Sequence, residues 1–448
     1  MASHVYNAWL VQLIHQGRAP GLWVENIWQN VFFDSLLTHL AALFGLGLAE
    51  KVAVALAVLL FFWSLFAFVS AVSGEAPWTL IPVFAMLAYG WTFQVGFFNY
   101  YIAIALSFLA LSVVWAERGY RRLFSLTLVP LIFLAHPLGL LWFFAAALYI
   151  LLAERLPPRG QFFLLAISGL LLWLVHKYMW SHFKVAGPAK RIYTIVGIDQ
   201  LVLYGYRYWL LAGALLLIVM AILVVDVMQR RNEKEYWSRL SILLQLYIAV
   251  ELGVLLLPSL VFLPKYPGAL ALLVERLSLV SAILLLGLLG VFKQRPWHAV
   301  GFGACACVFF IFLYQDTAVL NGMEEQVERM VSTLPSGTRV MASIFKPLHT
   351  PIYFPAHMVD RACIERCFSY GNYEPSSGQF RIRALPGNGI VTVSPFDGGA
   401  MQRGVYIVKP EDLPAFQIYQ CTPSFTELCI RELQAGERND RLGVHPGQ

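Results

Sequence analysis

Ten apolar runs, spaced through residues 52 to 315 and parted only by short polar loops, leave this chain few ways to fold. They fall at about 52–72, 78–94, 97–115, 122–134, 138–153, 161–180, 203–225, 240–263, 269–292 and 297–315. Most approach the ~20 residues that a helix needs to cross a ~30 Å hydrocarbon layer. Composition agrees: 59% of the 448 residues are hydrophobic and 13% charged, against about 25% charged in ordinary soluble domains. The expected fold class is a polytopic α-helical membrane protein of about ten spans, with membrane lipids as partners and no nucleic acid. The runs at 122–134 and 138–153 are short and hinge on His136-Pro137, so a broken or re-entrant pair is the other reading there. No repeat period, low-complexity tract or cleavable signal peptide is visible.

Basic residues in short loops set the orientation, because Lys and Arg accumulate on the cytoplasmic side. Taking alternate loops, one side holds eleven, from Arg118 to Arg295, and the other holds four: Lys184, Lys190, Arg191 and Lys265. This bias predicts a bacterial inner-membrane protein with both termini outside the cytoplasm. An exported N-terminus that opens in a polar helix has nothing ahead of it to start its export. The expectation is that one spanning helix precedes the given start.

Charge divides the chain further. Residues 1–315 carry 20 Lys+Arg against 12 Asp+Glu, and residues 316–448 carry 12 against 14. Three regions follow: amphipathic loop helices over 1–49, a transmembrane bundle over 50–315, and a small extracytoplasmic α/β domain over 316–448. The opening stretch Ser3 to Trp23 reads as a helix with an apolar stripe of Val5, Trp9, Leu10, Leu13 and Ile14, ended by Gly17 and Pro20-Gly21. It is expected to lie against the outer leaflet. In the tail, a helical stripe from Leu320 to Leu334 precedes expected strands at 339–344, 390–393, 405–408 and 416–419, and a closing helix runs from Phe425 to Gln434. Cys363, Cys367, Cys421 and Cys429 lie in this domain, where an oxidising compartment permits disulfides. The local pairings are Cys363–Cys367 and Cys421–Cys429, although four cysteines allow three connectivities and zinc binding competes. No other metal site is expected.

Polar residues near the outer mouth of the bundle are the candidates for chemistry, since ionisable groups are costly inside a membrane. The turn from Gln94 to Tyr101 supplies Gln94, Asn99 and Tyr100, either as an aromatic interface belt or as a wall for a lipid-linked substrate. His136 before Pro137 is either a structural turn or a catalytic or phosphate-contacting group. Positive charge in the outer 181–202 loop runs against the topological bias. Lys184, Lys190, Arg191 and Tyr193 there are candidates to hold a phosphate or diphosphate, against the reading of a solvated loop. Glu275-Arg276 sits within an apolar run and must turn inward; Arg276 either meets a lipid phosphate or pairs with Glu251. The opening helix offers His4 and Asn7, and Asp34 follows as the carboxylate that could orient or deprotonate an acceptor hydroxyl.

The whole layout resembles the GT-C superfamily of integral-membrane glycosyltransferases, of the protein O-mannosyltransferase and aminoarabinose-transferase type. The resemblance rests on Ser3-His4-Val5-Tyr6-Asn7-Ala8-Trp9-Leu10 with Gly17 and Pro20-Gly21, the many spans, the basic outer loops and the outer C-terminal domain entered through Leu334-Pro335-Ser336-Gly337-Thr338-Arg339-Val340. The segment Asp360 to Pro375 looks like that of uncharacterised bacterial membrane proteins with the same layout. The resemblance implies transfer of a sugar from a polyprenyl-phosphate carrier to an extracytoplasmic acceptor, with a divalent cation left open as cofactor. It places His4, Asp34 and His136 near the chemistry, in a site at the outer face. GT-C enzymes carry an acidic residue where this chain has Met1-Ala2, so either the start is truncated or the activity is lost. A non-catalytic assembly protein and a transporter of lipid-linked substrates are the rival functions.

Overall fold

The structure is a computed structural model that describes residues 1–187, 194–230, 234–264, 269–293, 295–345, 350–352, 354–422 and 426–439. In chain order it runs α1 (Ala2–His15), β1 (Leu22–Val24), α2 (Phe32–Phe44), α3 (Leu46–Ser73), α4 (Ile81–Ala88), α5 (Trp91–Gln94), α6 (Phe98–Ala116), α7 (Val129–Ala135), α8 (Pro137–Ala153) and α9 (Pro158–His182). There follow β2 (Lys184–Ala186), α10 (Tyr206–Arg230), α11 (Lys234–Leu256), β3 (Leu260–Phe262), β4 (Ala269–Leu270), α12 (Leu273–Val291) and α13 (Pro296–Ser332). The tail adds β5 (Thr338–Ser343), α14 (Met358–Ala362), β6 (Cys367–Ser369), α15 (Tyr373–Ser377), β7 (Ile382–Ala384), α16 (Pro395–Arg403), β8 (Ala415–Gln420) and β9 (Leu428–Glu432).

Among the described residues six helices are long and apolar enough to cross a membrane: Leu46–Ser73, Phe98–Ala116, Pro158–His182, Tyr206–Asp226, Leu273–Val291 and Pro296–Ser332. Four of the ten runs read from sequence take other forms. The run at 78–94 is a 3-10 turn, Trp78–Leu80, followed by the short helices α4 and α5. The run at 122–134 is a 3-10 segment, Gly119–Leu128, leading into seven-residue α7. Helix α8 has 17 residues, and the run at 240–263 ends its helix at Leu256 before strand β3. Hydrophobicity alone does not distinguish a spanning helix from a broken one, because the breaks at Gly90 and at His136-Pro137 fall inside runs that stay apolar on both sides.

By contact the chain divides into two compact units, Met1–Val54 with Leu313–Gln448, and Ala55–Phe312. Unit one therefore unites the opening helices with the tail, which the sequence reading had set apart as 1–49 and 316–448. Its sheet has the order β6-β5-β8-β9, with β5 parallel to both β6 and β8 and with β9 antiparallel to β8. A second pairing joins the two ends of the chain: Leu22, Trp23 and Val24 lie opposite Ala384, Arg383 and Ile382.

The stripe on α1 is taken up inside this unit. Tyr6, Trp9, Leu10 and Leu13 form one core with Met323, Val327 and Val331 of α13, and with Val340 and Ile418 of the sheet. An amphipathic stripe says that a face must be covered; it does not say by what. Here protein covers it, where the sequence reading expected lipid. Gly17 ends α1 with φ +70°, a conformation glycine adopts without a side-chain clash. The Gly17 N–H reaches Ile14 O at 3.0 Å and the Arg18 N–H reaches Leu13 O at 2.9 Å, the paired bonds of a Schellman cap.

Three expectations for the tail are corrected. Residues 390–393 are a turn, because the Asn388 side chain takes the N–H groups of Ile390 and Val391. Residues 405–408 contribute only one isolated bridge, Ile407 to Arg438. The closing helix is instead strand β9, drawn onto β8 by five register pairs; Phe425 lies outside the described residues. Cys363 is bonded to Cys367, tying α14 to β6, and Cys421 to Cys429, tying β8 to β9.

Unit two is helical, with α6 against α7 and α8, and α11 against α9 and α12. Within the same unit, strands β2, β3 and β4 form a small antiparallel sheet. No residue of α9 is buried, and Phe162 and Phe163 are about two-thirds exposed, which fits contact with lipid hydrocarbon.

Candidate functional site

Unit one gathers its polar side chains where α1, α2 and the 357–382 segment converge. His4 on α1 and Asp34 in the first turn of α2 meet at 2.7 Å between Nδ1 and Oδ1, with side chains only 12% and 11% exposed. The Phe33 ring stands edge-on to the His4 imidazole, centroids 5.4 Å apart. One turn along α1, Asn7 donates to Ser3 Oγ at 3.3 Å, and its own Oδ1 is buried with no hydrogen-bond partner among the described residues.

Arg381, almost wholly buried, fixes the far side of Asp34. Its Nη1 donates to the Asp34 carbonyl oxygen at 3.2 Å and to Thr38 Oγ1 at 2.8 Å, and its Nε lies 3.3 Å from Glu374 Oε1. Burial pushes the Glu374 carboxyl up, and the Arg381 guanidinium works against that rise. Glu374 also accepts the Ile382 N–H at 3.1 Å, so the α15–β7 turn closes on its own carboxylate.

Asp360 forms the second knot. It accepts from Ser369 Oγ at 2.5 Å and from Asn372 Nδ2 at 3.2 Å, and His357 Nδ1 lies 3.0 Å away. Asn372 in turn donates to Ser3 Oγ at 3.3 Å, and Tyr6 accepts the Ser369 N–H at 3.0 Å. Burial and the Asp360 charge both push the Tyr6 phenol far up. The polar side of α1 thus faces carboxylates from three parts of the chain, Asp34, Asp360 and Glu374, with one guanidinium among them. Among the described residues no group of three or more His, Cys, Asp or Glu is arranged to hold a metal ion.

Unit two has its own cluster. The Arg276 guanidinium lies over the rings of Phe97 and Tyr100, at 4.6 and 5.6 Å from their centroids. Tyr100 donates its hydroxyl to the Arg276 carbonyl at 2.7 Å and stands edge-on to His136 at 5.4 Å. The His136 ring is also the N-cap of α8, since its Nδ1 accepts the Leu138 N–H at 3.1 Å and Pro137 occupies the first helical position. Glu275 accepts from Ser259 Oγ, and Glu251 accepts the Val196 N–H at 3.2 Å. The sequence offers Arg276 two partners, a lipid phosphate or Glu251; its guanidinium lies over aromatic faces, and Glu251 accepts the Val196 N–H.

The structure brings His4, Asp34 and Asn7 together in unit one, and Tyr100, His136 and Arg276 together in unit two. Asn99 is buried beside Tyr100 on α6. Gln94 stands apart from that cluster, accepting the Tyr204 hydroxyl at 3.0 Å and donating to Tyr89 O at 3.2 Å. Lys184 is exposed on β2 opposite Phe262. Lys190, Arg191 and Tyr193 lie outside the described residues. Sequence reasoning missed Asp360, Asn372, Glu374 and Arg381, which reach the opening helices from more than 300 residues away. The available signal was Asn372-Tyr373-Glu374-Pro375, an N-cap followed by an acid, inside a segment already singled out. Comparison with protein-family models, with curated proteins and with solved structures finds no match for this chain.

Proposed function

We propose that the chain is a membrane glycosyltransferase that moves a sugar from a polyprenyl-phosphate carrier to an acceptor hydroxyl, with His4 as general base and Asp34 as the carboxylate that orients it. The observation that carries this reading is the 2.7 Å contact between two largely buried side chains. An ionised carboxylate only accepts hydrogen bonds, so Nδ1 bears the proton of that contact, and Nε2 is the nitrogen that would act as the base. Such a base removes the acceptor's proton as its oxygen bonds to the sugar, while the carrier phosphate leaves with the electrons of the broken bond.

The test uses the full chain in lipid nanodiscs with a labelled polyprenyl-phosphate sugar and a hydroxyl acceptor. Wild type should transfer the label. H4A and D34N should each lose about 10²–10⁴-fold in transfer rate while still retaining the labelled lipid. A wild-type protein that neither retains the labelled lipid nor transfers its sugar contradicts the reading.

A further inference from the structure

Residues 117–159 of unit two carry five arginines and two glutamates, and all seven lie at helix ends. Helix α6 stops at Ala116, α8 stops at Ala153 and α9 starts at Pro158. Glu154 draws these ends together. Arg118 Nη1 donates to its Oε1 at 2.5 Å, and Arg122 Nη2 donates to its two oxygens at 2.9 and 2.6 Å. Arg122 Nε also donates to the Glu117 carbonyl at 2.8 Å, and Arg121 lies 3.8 Å from the Glu117 carboxylate. Both carboxylates are engaged in this way, and Arg155 and Arg159 stand exposed beyond them. The excess is three positive charges.

The 3-10 segment Gly119–Leu128 runs along this end of the unit. A 3-10 helix turns in three residues, so side chains three apart align. One edge faces inward: Ser125 is buried, and the Arg122 side chain is only 14% exposed. A second edge carries Tyr120, Leu123 and Leu126, and the third carries Arg121 and Phe124. The four apolar side chains on these outer edges are between 45% and 76% exposed.

Water disfavours that apolar edge, and hydrocarbon disfavours the arginines beside it. A bilayer boundary accepts both, with acyl chains on one side and headgroups on the other. Continuity with the spans puts the segment there, because α6 and α9 are two of the helices able to cross a membrane and both end at this cluster. The sign of the excess charge selects the headgroup.

We propose that Gly119–Leu128 and the 154–159 turn form a docking surface for anionic phospholipids. Tyr120, Leu123 and Phe124 enter the acyl boundary. Arg121, Arg155 and Arg159 hold headgroup phosphates, whose oxygens match the forked donors of a guanidinium. Arg118 and Arg122 stay on Glu154 and keep the helix ends together.

The test places a benzophenone side chain at position 124 of the full chain, in nanodiscs of phosphatidylglycerol and phosphatidylcholine in equal amounts. On illumination it should capture lipid, with the ratio of phosphatidylglycerol to phosphatidylcholine about fivefold above that of the bilayer. R155Q/R159Q leaves the Glu154 contacts intact and should bring the captured ratio most of the way back to that of the bilayer. Should that variant fail to fold, salt at about 1 M should do the same to the wild-type side chains by screening. Capture of a second copy of the chain in place of lipid, capture of both lipids in the bilayer ratio, or a ratio that neither R155Q/R159Q nor salt moves overturns the proposal.

Discussion

Arg381 is the residue on which the unit-one cluster turns, because its guanidinium lies 3.3 Å from the Glu374 carboxylate and also holds the Asp34 carbonyl and Thr38. Removing one member of a buried pair leaves the other charged without compensation. R381M should therefore cost about 3–5 kcal/mol of unit-one stability, measured by denaturant unfolding of the full chain in detergent. E374Q in the R381M background should recover most of that loss, since the stranded charge is then gone. Equal losses in R381M and R381M/E374Q would mean that the pair is not coupled. The pH dependence has a definite sign. Burial raises Glu374 above its ordinary 4.5 in the folded protein, so the penalty is absent below that value and grows as pH rises through the raised one. R381M should steepen this decline, and E374Q should flatten it.

At the scale of elements, what the sequence made legible was local. The end of α1 was readable because a left-handed cap needs glycine, and Gly17 supplies it. A Cβ there would meet nothing within 4 Å, so G17A carries only the backbone cost. It should destabilise unit one by about 1–2 kcal/mol, seen as a lowered unfolding midpoint; no change would argue that α1 does not end there. The turn at His136-Pro137 was equally readable, and the ring that caps α8 is the structural half of the two readings left open for it. Long-range pairing was not legible. The run Leu428 to Leu433 fits a helix or a strand by composition, and only the edge of β8 selects the strand. Likewise the broken run at 78–94 is as apolar as its intact neighbours, and its break is visible only once Gln200 docks against Thr92.

At the scale of the whole molecule, the six apolar helices mark a membrane protein, and the contact division regroups what the sequence had separated. The charge shift read near residue 316 lies beside Leu313, where the second segment of unit one begins. The membership of residues 1–54 could not be read, because a stripe of Trp9, Leu10 and Leu13 suits lipid as well as a protein core. His4 and Asp34 were named from sequence by residue type, and their meeting depends on α1 and α2 belonging to the same unit as Arg381.

Trp9 anchors that association, so W9A should destabilise unit one by about 3–5 kcal/mol. Hydrogen exchange on the full chain in nanodiscs, comparing wild type with W9A, tests the association most directly. The account predicts that the amides of Ala2–His15 are protected in wild type to the same degree as those of β5 and β8, and that W9A weakens all three together. An opening helix that exchanges freely while β5 and β8 stay protected would contradict it.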